Sequence, residues 1–370
     1  MNKLVRIGLV AVLALAFIAG LWKSFTQSET SADAVQSATP AGKVNKVRLL
    51  TGSAKFNFLK DPELTALLAE QGIELELTKS GAFAQDVDKA QEFDAVWPAG
   101  AAAATDFSQA WKAPATYPVF STPLAIASWK ALMPVLQSNG LAKKTGDTHG
   151  EFNLEKALPL MLGAKRWNQL SNNDVFAVNR GFLVNTPDVR KSTTGGLYIS
   201  TLAYLLNGSE APSDVAAART LAEKLSSLIT RQGFQEGTLA GPFEDYLGQG
   251  MGKAPLVLIY ESQFVEAKRE GKLKDSHFLL YPQPGLVLKH IVVARTDAGK
   301  KLGDVLANNP QAQSIAAKYG FRTNNANVFA KAMAEHKLDA PELLNIADAP
   351  STAVFDAINK TLTNKLEGTQ

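Results

Sequence analysis

Short apolar segments alternate with helix-like segments along most of this chain, and this alternation restricts its possible folds more than any other feature. Residues 46–50 (KVRLL) have the pattern of a buried strand. The triplet at 61–63 (DPE) supplies an N-cap, a first-turn proline and a first-turn acid, and Gly72 ends that helix. Further strands are indicated at 73–78 (IELELT) and 93–97 (FDAVW). This order predicts an α/β fold with a mixed, mostly parallel sheet covered by helices.

The alternation continues through the rest of the chain. Helices are predicted at 153–165, 196–206, 214–229, 297–307 and 310–319, and strands at 255–260, 277–281 and 285–294. With 370 residues, the chain exceeds the length at which a single core stops growing, about 250–300 residues, so we expect two lobes.

Composition excludes several classes of function. A net charge of +3 is too small for a dedicated nucleic-acid surface, so no nucleic-acid partner is expected. The absence of cysteine excludes disulfides, thiolate metal ligands and a cysteine nucleophile. The four histidines are scattered without the spacing of metal ligands, and neither Gly-x-Ser-x-Gly nor His-Glu-x-x-His occurs. We therefore expect no metal, no cofactor and no enzymatic activity.

The N-terminal residues 1–23 have the pattern of an export signal. Lys3 and Arg6 precede an uncharged apolar run at 7–22, which places everything after it outside the cytoplasm. The run is intermediate between a cleaved signal and a membrane-spanning helix, and we expect an uncleaved anchor in the inner membrane, with cleavage into the periplasm as the alternative. Residues 24–45 are rich in Ser, Thr, Ala and Gln and are typical of a flexible linker.

The stretch at 190–198 (RKSTTGGLY) combines cations, hydroxyls and glycines directly before a helix-like run. It is not a nucleotide loop, because its lysine precedes the glycines instead of following them. The order predicts a helix start, with Thr193 or Thr194 as the cap and Gly195 in the first turn. The same backbone N–H groups and hydroxyls could hold a polar or anionic solute, so capping and binding both stay open.

Six segments, taken in order, resemble one known family over roughly residues 46–323. They are TGS at 51–53, FDAVWPAG at 93–100, PVFSTPLAIASWK at 118–130, VNTPDVRKSTTGGLYISTLAYLL at 184–206, YPQPGLVLKHIVVA at 281–294 and NNPQAQSIAAKYGFR at 308–322. The family is the type II periplasmic, or extracellular, solute-binding proteins of ABC importers. The segment at 184–206 differs from the family, because it carries Thr and Gly where Ser-x-x-Gly is commoner.

The resemblance implies a two-lobed fold hinged by two crossover segments. Lobe 1 would contain residues 46–124 plus 286–370, and lobe 2 would contain 125–285. The chain is also similar to the subgroup that is often fused to a von Willebrand type A domain. Because no Asp-x-Ser-x-Ser motif is present, we expect only the binding module in these residues.

The resemblance also implies a solute site at strand ends and helix starts between the lobes. Some of these residues have structural alternatives: the Ser-Gly pairs occur more often in turns, Trp97 could stack on a solute or fill the core, and Glu261 could bind a solute or pair with a lysine. The candidate ligand-binding residues are Thr51, Gly52, Ser53, Ser80, Gly81, Trp97, Thr122, Ser192, Thr193, Thr194, Gly195, Tyr260 and Glu261.

Two functions follow as hypotheses. The first is an exported or membrane-anchored protein that captures a small polar solute and presents it to a membrane transporter. Hydroxyl-and-glycine loops indicate an oxyanion or carboxylate, whereas Glu261 argues against a purely anionic ligand. The second is an anchored sensor, or an assembly or stress-response factor, that binds a protein partner. Apolar positions in the segment after residue 324 are expected to pack on lobe 1, or to offer that partner a groove.

Overall fold

The computed structural model describes residues 45–80 and 89–368. The apolar run at 7–22, residues 24–44 of the linker and Gly81 lie outside these residues, so the anchor, that part of the linker and one candidate site residue stay predictions. The last residue of the predicted linker, Asn45, is the first residue of a strand. Within the described ranges, no helix is both long enough and apolar enough to cross a membrane.

Ten strands build the sheets of the described chain. They are β1 (Asn45–Thr51), β2 (Ile73–Lys79), β3 (Ala95–Trp97), β4 (Ala115–Trp129), β5 (Ala142–Lys144), β6 (His149–Asn153), β7 (Val257–Tyr260), β8 (His277–Gln283), β9 (Val287–Ala294) and β10 (Arg322–Thr323).

The helices cover these strands and connect them. They are α1 (Phe56–Leu59), α2 (Pro62–Glu70), α3 (Ala101–Trp111), α4 (Met133–Ser138), α5 (Leu154–Leu162), α6 (Thr193–Leu206), α7 (Val215–Thr230), α8 (Ala240–Gln249), α9 (Glu261–Arg269), α10 (Asp297–Asn308), α11 (Pro310–Lys318), α12 (Ala326–Glu335) and α13 (Thr352–Glu367). Short 3-10 turns lie at Ser53–Lys55, Lys89–Glu92, Lys130–Leu132 and Trp167–Gln169.

Strand β4 runs through both lobes. Its residues 115–123 pair antiparallel with β9 in the first lobe. In the same lobe, β2 and β3 lie parallel to β1 on either side of it, and β3 pairs antiparallel with β9. Its residues 124–127 pair with β7, and 126–129 pair with β8, in the second lobe. Strand β6 then lies parallel to β8 and antiparallel to β5.

The second crossing is the short link between β8 and β9, and the segment between α12 and α13 is a third, because α13 packs on the second-lobe core. Each lobe also has its own large hydrophobic core, one around Leu49 and Leu302 and the other around Ile126, Leu225 and Leu258. The predicted two-lobed α/β class with mixed sheets is confirmed.

Local signals in the sequence explain where several helices begin. The Asp61 side chain accepts hydrogen bonds from the backbone N–H groups of Glu63 and Leu64, and Pro62 occupies the first turn of α2. The Asn309 side chain caps α11 in the same way. These caps satisfy donors that no helical carbonyl reaches, so the helix starts are encoded locally.

The C-terminal helix α13 packs on the second lobe, not on the first as expected. Its buried residues Val354, Ile358 and Leu362 belong to the second-lobe core, and the helix lies against α6 and α7. The expected apolar face exists, but helical spacing shows only that a face is buried and not which surface covers it.

Candidate functional site in the cleft between the lobes

A cavity of about 260 Å³ lies between the lobes, beside the carboxyl ends of β1 and β2 and the start of α6. Seven of the candidate residues line it: Gly52, Ser53, Ser80, Ser192, Thr193, Thr194 and Tyr260. Other lining residues that matter below are Lys55, Asn57, Lys79, Lys191 and Glu266. Ligands of open α/β sheets bind at strand ends of this kind, so the cleft has the expected position for a solute site.

Lys55 is the most unusual residue of the cleft lining. It follows β1 in a 3-10 turn and is completely buried. Burial lowers its pKa from 10.5 to about 7, because the ammonium form has lost its hydration. No carboxylate of the described residues forms an ion pair with it, and its Nζ lies 5.4 Å from the centre of the Trp97 ring.

His290, on β9, is the hydrogen-bond partner of Lys55. Lys55 Nζ lies 3.2 Å from His290 Nδ1, and the imidazole is also completely buried. Burial and the neighbouring Lys55 charge hold the pKa of His290 well below its usual value, so the ring is neutral. A neutral imidazole accepts from an ammonium in one tautomer and donates to a neutral amine in the other, so it accommodates both states of Lys55.

Helix α6 directs its uncapped start toward the same cavity. Ser192 occupies the N-cap position, but its side chain makes no capping hydrogen bond, so the prediction that Thr193 or Thr194 caps the helix is wrong. Thr194 Oγ1 instead lies 2.6 Å from the hydroxyl oxygen of Tyr260, whose pKa burial raises to about 12. Free backbone N–H groups and a positive helix end favour an anion at this position.

The glycines of α6 serve packing and do not line the cavity. A Cβ at Gly195 would lie 2.8 Å from the carbonyl oxygen of Pro187, and one at Gly196 would lie 2.2 Å from the side chain of Asn359 on α13. Gly195 therefore allows the helix start to approach the preceding loop. A substitution at Gly195 would therefore disturb the fold and could not test ligand binding by itself.

Three other candidates are buried beside the cleft but not in its lining. The Thr51 hydroxyl donates to the carbonyl of Trp97. Trp97 packs against Phe58 and Phe120, with ring centres 6.3 and 5.1 Å away, which favours the core interpretation for this tryptophan. Thr122 is fully buried in β4 just before the chain crosses between the lobes.

Glu261 belongs to a buried ion pair near the crossings. Arg322 donates from Nε and Nη2 to its two carboxylate oxygens at 2.7 and 2.6 Å, and the Tyr281 hydroxyl donates to it at 2.5 Å. The expected lysine partner is thus an arginine. Burial and the Glu261 charge raise the pKa of Tyr281 well above its usual value. Because both carboxylate oxygens already have partners, Glu261 is not available to a solute.

Glu266 supplies the carboxylate that does line the cleft. Asn57 donates a hydrogen bond to the Glu266 carboxylate at 2.7 Å, and the Arg269 guanidinium lies 3.9 Å from the same carboxylate. Burial raises the pKa of Glu266, which favours its neutral form. Lys79 and Lys191 lie elsewhere on the lining, so cationic groups outnumber the one described carboxylate.

Sequence reasoning missed Lys55, His290 and Glu266. Lys55 stands only two residues after the predicted Thr51-Gly52-Ser53 segment, and that proximity was the available signal. Lysine is rarely buried without a partner, so its residue type argued for an exposed position.

A larger groove of about 600 Å³ lies on the outside of the first lobe, between α2 and the edge strand β2. Leu68, Ile73, Leu75 and other aliphatic side chains line it, and it contains none of the candidate residues. Its polar lining residues are Lys60, Thr65 and Glu74, whereas the interlobe cleft has many more, so the cleft is the better candidate for a polar solute.

The sequence matches no protein-family model, and comparison with curated proteins gives no significant match. Solved structures do match the fold. A periplasmic thiamin-binding protein is 14% identical with a TM-score of 0.53, covering 90% of this chain and 99% of its own. Iron-bound HitA from Pseudomonas aeruginosa is 11% identical with a TM-score of 0.51, covering 87% and 98%. A GABA receptor is 14% identical with a TM-score of 0.50, covering 86% and 97%.

The chain therefore has the fold of the type II periplasmic solute-binding proteins. At these identities the likeness extends to architecture and not to ligand. Within the described residues no group of three or more His, Asp or Glu side chains is arranged to hold a metal ion, although one neighbour is iron-bound.

Proposed function

We propose that this protein captures a small anionic solute, an oxyanion or a carboxylate, in the cleft between its lobes and presents it to a membrane transporter. The observation that carries the proposal is the buried Lys55 in the cleft lining, with no described carboxylate beside it. A buried cation without a counter-charge is unfavourable, and a bound anion would supply that charge.

The second lobe supports the same ligand chemistry. The uncapped start of α6 and the hydroxyls of Thr193 and Thr194 lie on the lining opposite the first-lobe residues. An anion held by both lobes would stabilise the closed arrangement, and a transporter could distinguish that arrangement from the open one. The similar proteins that bind thiamin, iron or GABA support a binding role on this fold without indicating this solute.

Export fits the same function. The basic residues and apolar run at 1–23 would place the cleft on the extracytoplasmic side of the inner membrane, either anchored or released into the periplasm. A binding protein held there by the linker at 24–45 would remain close to its transporter.

A thermal-shift screen of the purified full chain tests the proposal. The panel contains sulfate, molybdate, acetate, amino acids, sugars and polyamines. We expect stabilisation by anionic members, since a ligand at 100 times its Kd adds about 2.7 kcal/mol to the free energy of unfolding. Absence of stabilisation by every member would overturn the proposal.

Two matched variants locate the binding site. Thr194→Val removes a hydroxyl that lines the cleft, and Thr201→Val removes a buried hydroxyl of the same helix that donates to the Leu197 carbonyl. The anion-dependent shift should shrink for Thr194→Val and persist for Thr201→Val. Equal shifts in the two variants would place the ligand elsewhere.

A further inference from the structure

We propose that Lys55 recognises the negative charge of the solute and takes up a proton as the solute binds, so that capture of the anion is linked to protonation of the cleft. This inference rests on the proposed function and adds which residue recognises the anion and how the affinity for the anion depends on pH.

The surroundings of Lys55 make its charge easy to change. Its side chain is completely buried, its described neighbours are the neutral His290 ring and the face of Trp97, and no described carboxylate neutralises it. Such surroundings favour the neutral amine, and they place the pKa of Lys55 at about 7. Near neutral pH, Lys55 in the empty cleft is therefore present as the neutral amine and as the ammonium in similar amounts.

The tyrosines and the carboxylate of the lining have pKa shifts in the opposite direction. Tyr260 has a pKa raised to about 12 by burial, and the pKa of Tyr319 is also raised. Glu266 accepts a hydrogen bond from Asn57 and has a raised pKa. Lys79 and Lys191 are the other cations of the lining. Lys55 is thus a cation of the described lining whose pKa is lowered by burial, to about 7.

An anion bound beside Lys55 would supply the missing counter-charge. It would favour the ammonium and raise the pKa of Lys55 above its value in the empty cleft. His290 permits the change, because its Nδ1 accepts a hydrogen bond from the ammonium and its other tautomer donates to the amine. The anion binds most tightly where Lys55 is already charged, and binding at higher pH draws a proton from solvent.

Isothermal titration of the full chain tests the inference with sulfate, molybdate and acetate, none of which changes its protonation state between pH 6 and pH 9. We expect the association constant to fall about tenfold for each pH unit above 7 until the pKa of the bound state is reached. Titrations at pH 8 in Tris and in triethanolamine, two cationic buffers of different ionisation enthalpy, should report uptake of about 0.9 proton per anion.

Three variants separate the lysine from general charge effects. Lys55→Met should abolish both binding and proton uptake, and Lys55→Arg, which stays charged, should bind without the pH dependence. Lys301→Met removes an exposed positive charge outside the cleft and should behave as the wild type. Circular dichroism of each variant verifies that it is folded.

The outcomes distinguish this inference from the proposed function. An anion that binds with unchanged affinity from pH 6 to pH 9 and without proton uptake would overturn the inference and leave solute capture standing. Binding of a sugar or polyamine in the cleft, without any of the three anions, would overturn the inference and the anionic assignment. If nothing in the full panel binds, the proposed function is overturned as well.

Discussion

Lys55 and Arg322 are both cations largely withdrawn from water, but their surroundings differ completely. Arg322 makes a bidentate ion pair with Glu261, and Glu261 also accepts a hydrogen bond from the Tyr281 hydroxyl. Lys55 has only a neutral imidazole as hydrogen-bond partner among the described residues. A buried charge with its partners in place is compatible with a structural role, whereas one without a counter-charge costs stability. The contrast separates the junction of the lobes from the cleft that would receive a ligand.

The largest expected effect is a gain in stability when the buried lysine is removed. A pKa of about 7 in the folded protein against 10.5 in the unfolded chain corresponds to about 5 kcal/mol. The unfolded chain binds more protons between these values, so this penalty is fully present below pH 7 and disappears as pH rises toward 10.5. Lys55→Met should therefore raise the free energy of unfolding by up to about 5 kcal/mol at pH 6 and far less at pH 10.

Urea denaturation of wild type and Lys55→Met at the two pH values measures this difference. Lys301→Met, at an exposed position, provides the control for the loss of one positive charge. Equal stability of wild type and Lys55→Met at pH 6 would contradict the description of Lys55 as a destabilising buried cation.

The opposite change is expected at the paired site. Glu261→Gln leaves Arg322 and Tyr281 without the carboxylate that both contact, so it should lower the free energy of unfolding by about 3–5 kcal/mol. Removing both charges, with Glu261→Met and Arg322→Met together, should recover much of that loss. A double-mutant cycle measured by urea denaturation checks this, and additive losses would show that the pair is not coupled.

A smaller effect is expected for a polar group of the cleft without charge. Thr194→Val removes one hydroxyl from the lining and should weaken anion binding by about 1 kcal/mol, roughly fivefold in Kd. Titration calorimetry measures it, with Thr201→Val as the control on the same helix. A loss as large as that of Lys55→Met would show that the hydroxyl, and not the lysine, dominates recognition.

The smallest effect is expected for an exposed ion pair. Lys318 lies 3.1 Å from Glu63, with side chains 40% and 61% exposed. Lys318→Met should change the free energy of unfolding by less than about 1 kcal/mol, because solvent already screens the pair. A loss comparable to that of Glu261→Gln would mean that burial does not explain the difference between these pairs.

Much of the fold could be predicted from local signals. Asp61-Pro62 and Asn309-Pro310 mark helix starts, and alternating apolar residues mark strands, because these patterns act through neighbouring backbone. The resemblance added the order of the lobes and the first two crossings, but not the third crossing before α13. The surface that covers α13 could not be predicted, since helical spacing does not specify a tertiary partner.

The site was predictable only in part for a similar reason. The loops that line the cleft follow from strand ends and the start of α6, so the lining positions of Ser53, Ser192, Thr193 and Thr194 could be predicted, while their binding role stays a prediction. The burial of Lys55 and the pairing of Glu261 with Arg322 depend on segments far apart in sequence. Residue type alone favoured an exposed lysine and an available glutamate.

The pKa of Lys55, measured by NMR from its side-chain ¹³Cε and ¹⁵Nζ shifts in the full chain with and without sulfate, tests the central claim most directly. Comparison with Lys55→Met assigns the signal. We predict a pKa of about 7 in the empty cleft and a clearly higher value with sulfate bound. A pKa near 10.5 in both states would contradict the account of Lys55 as the proton-linked anion site.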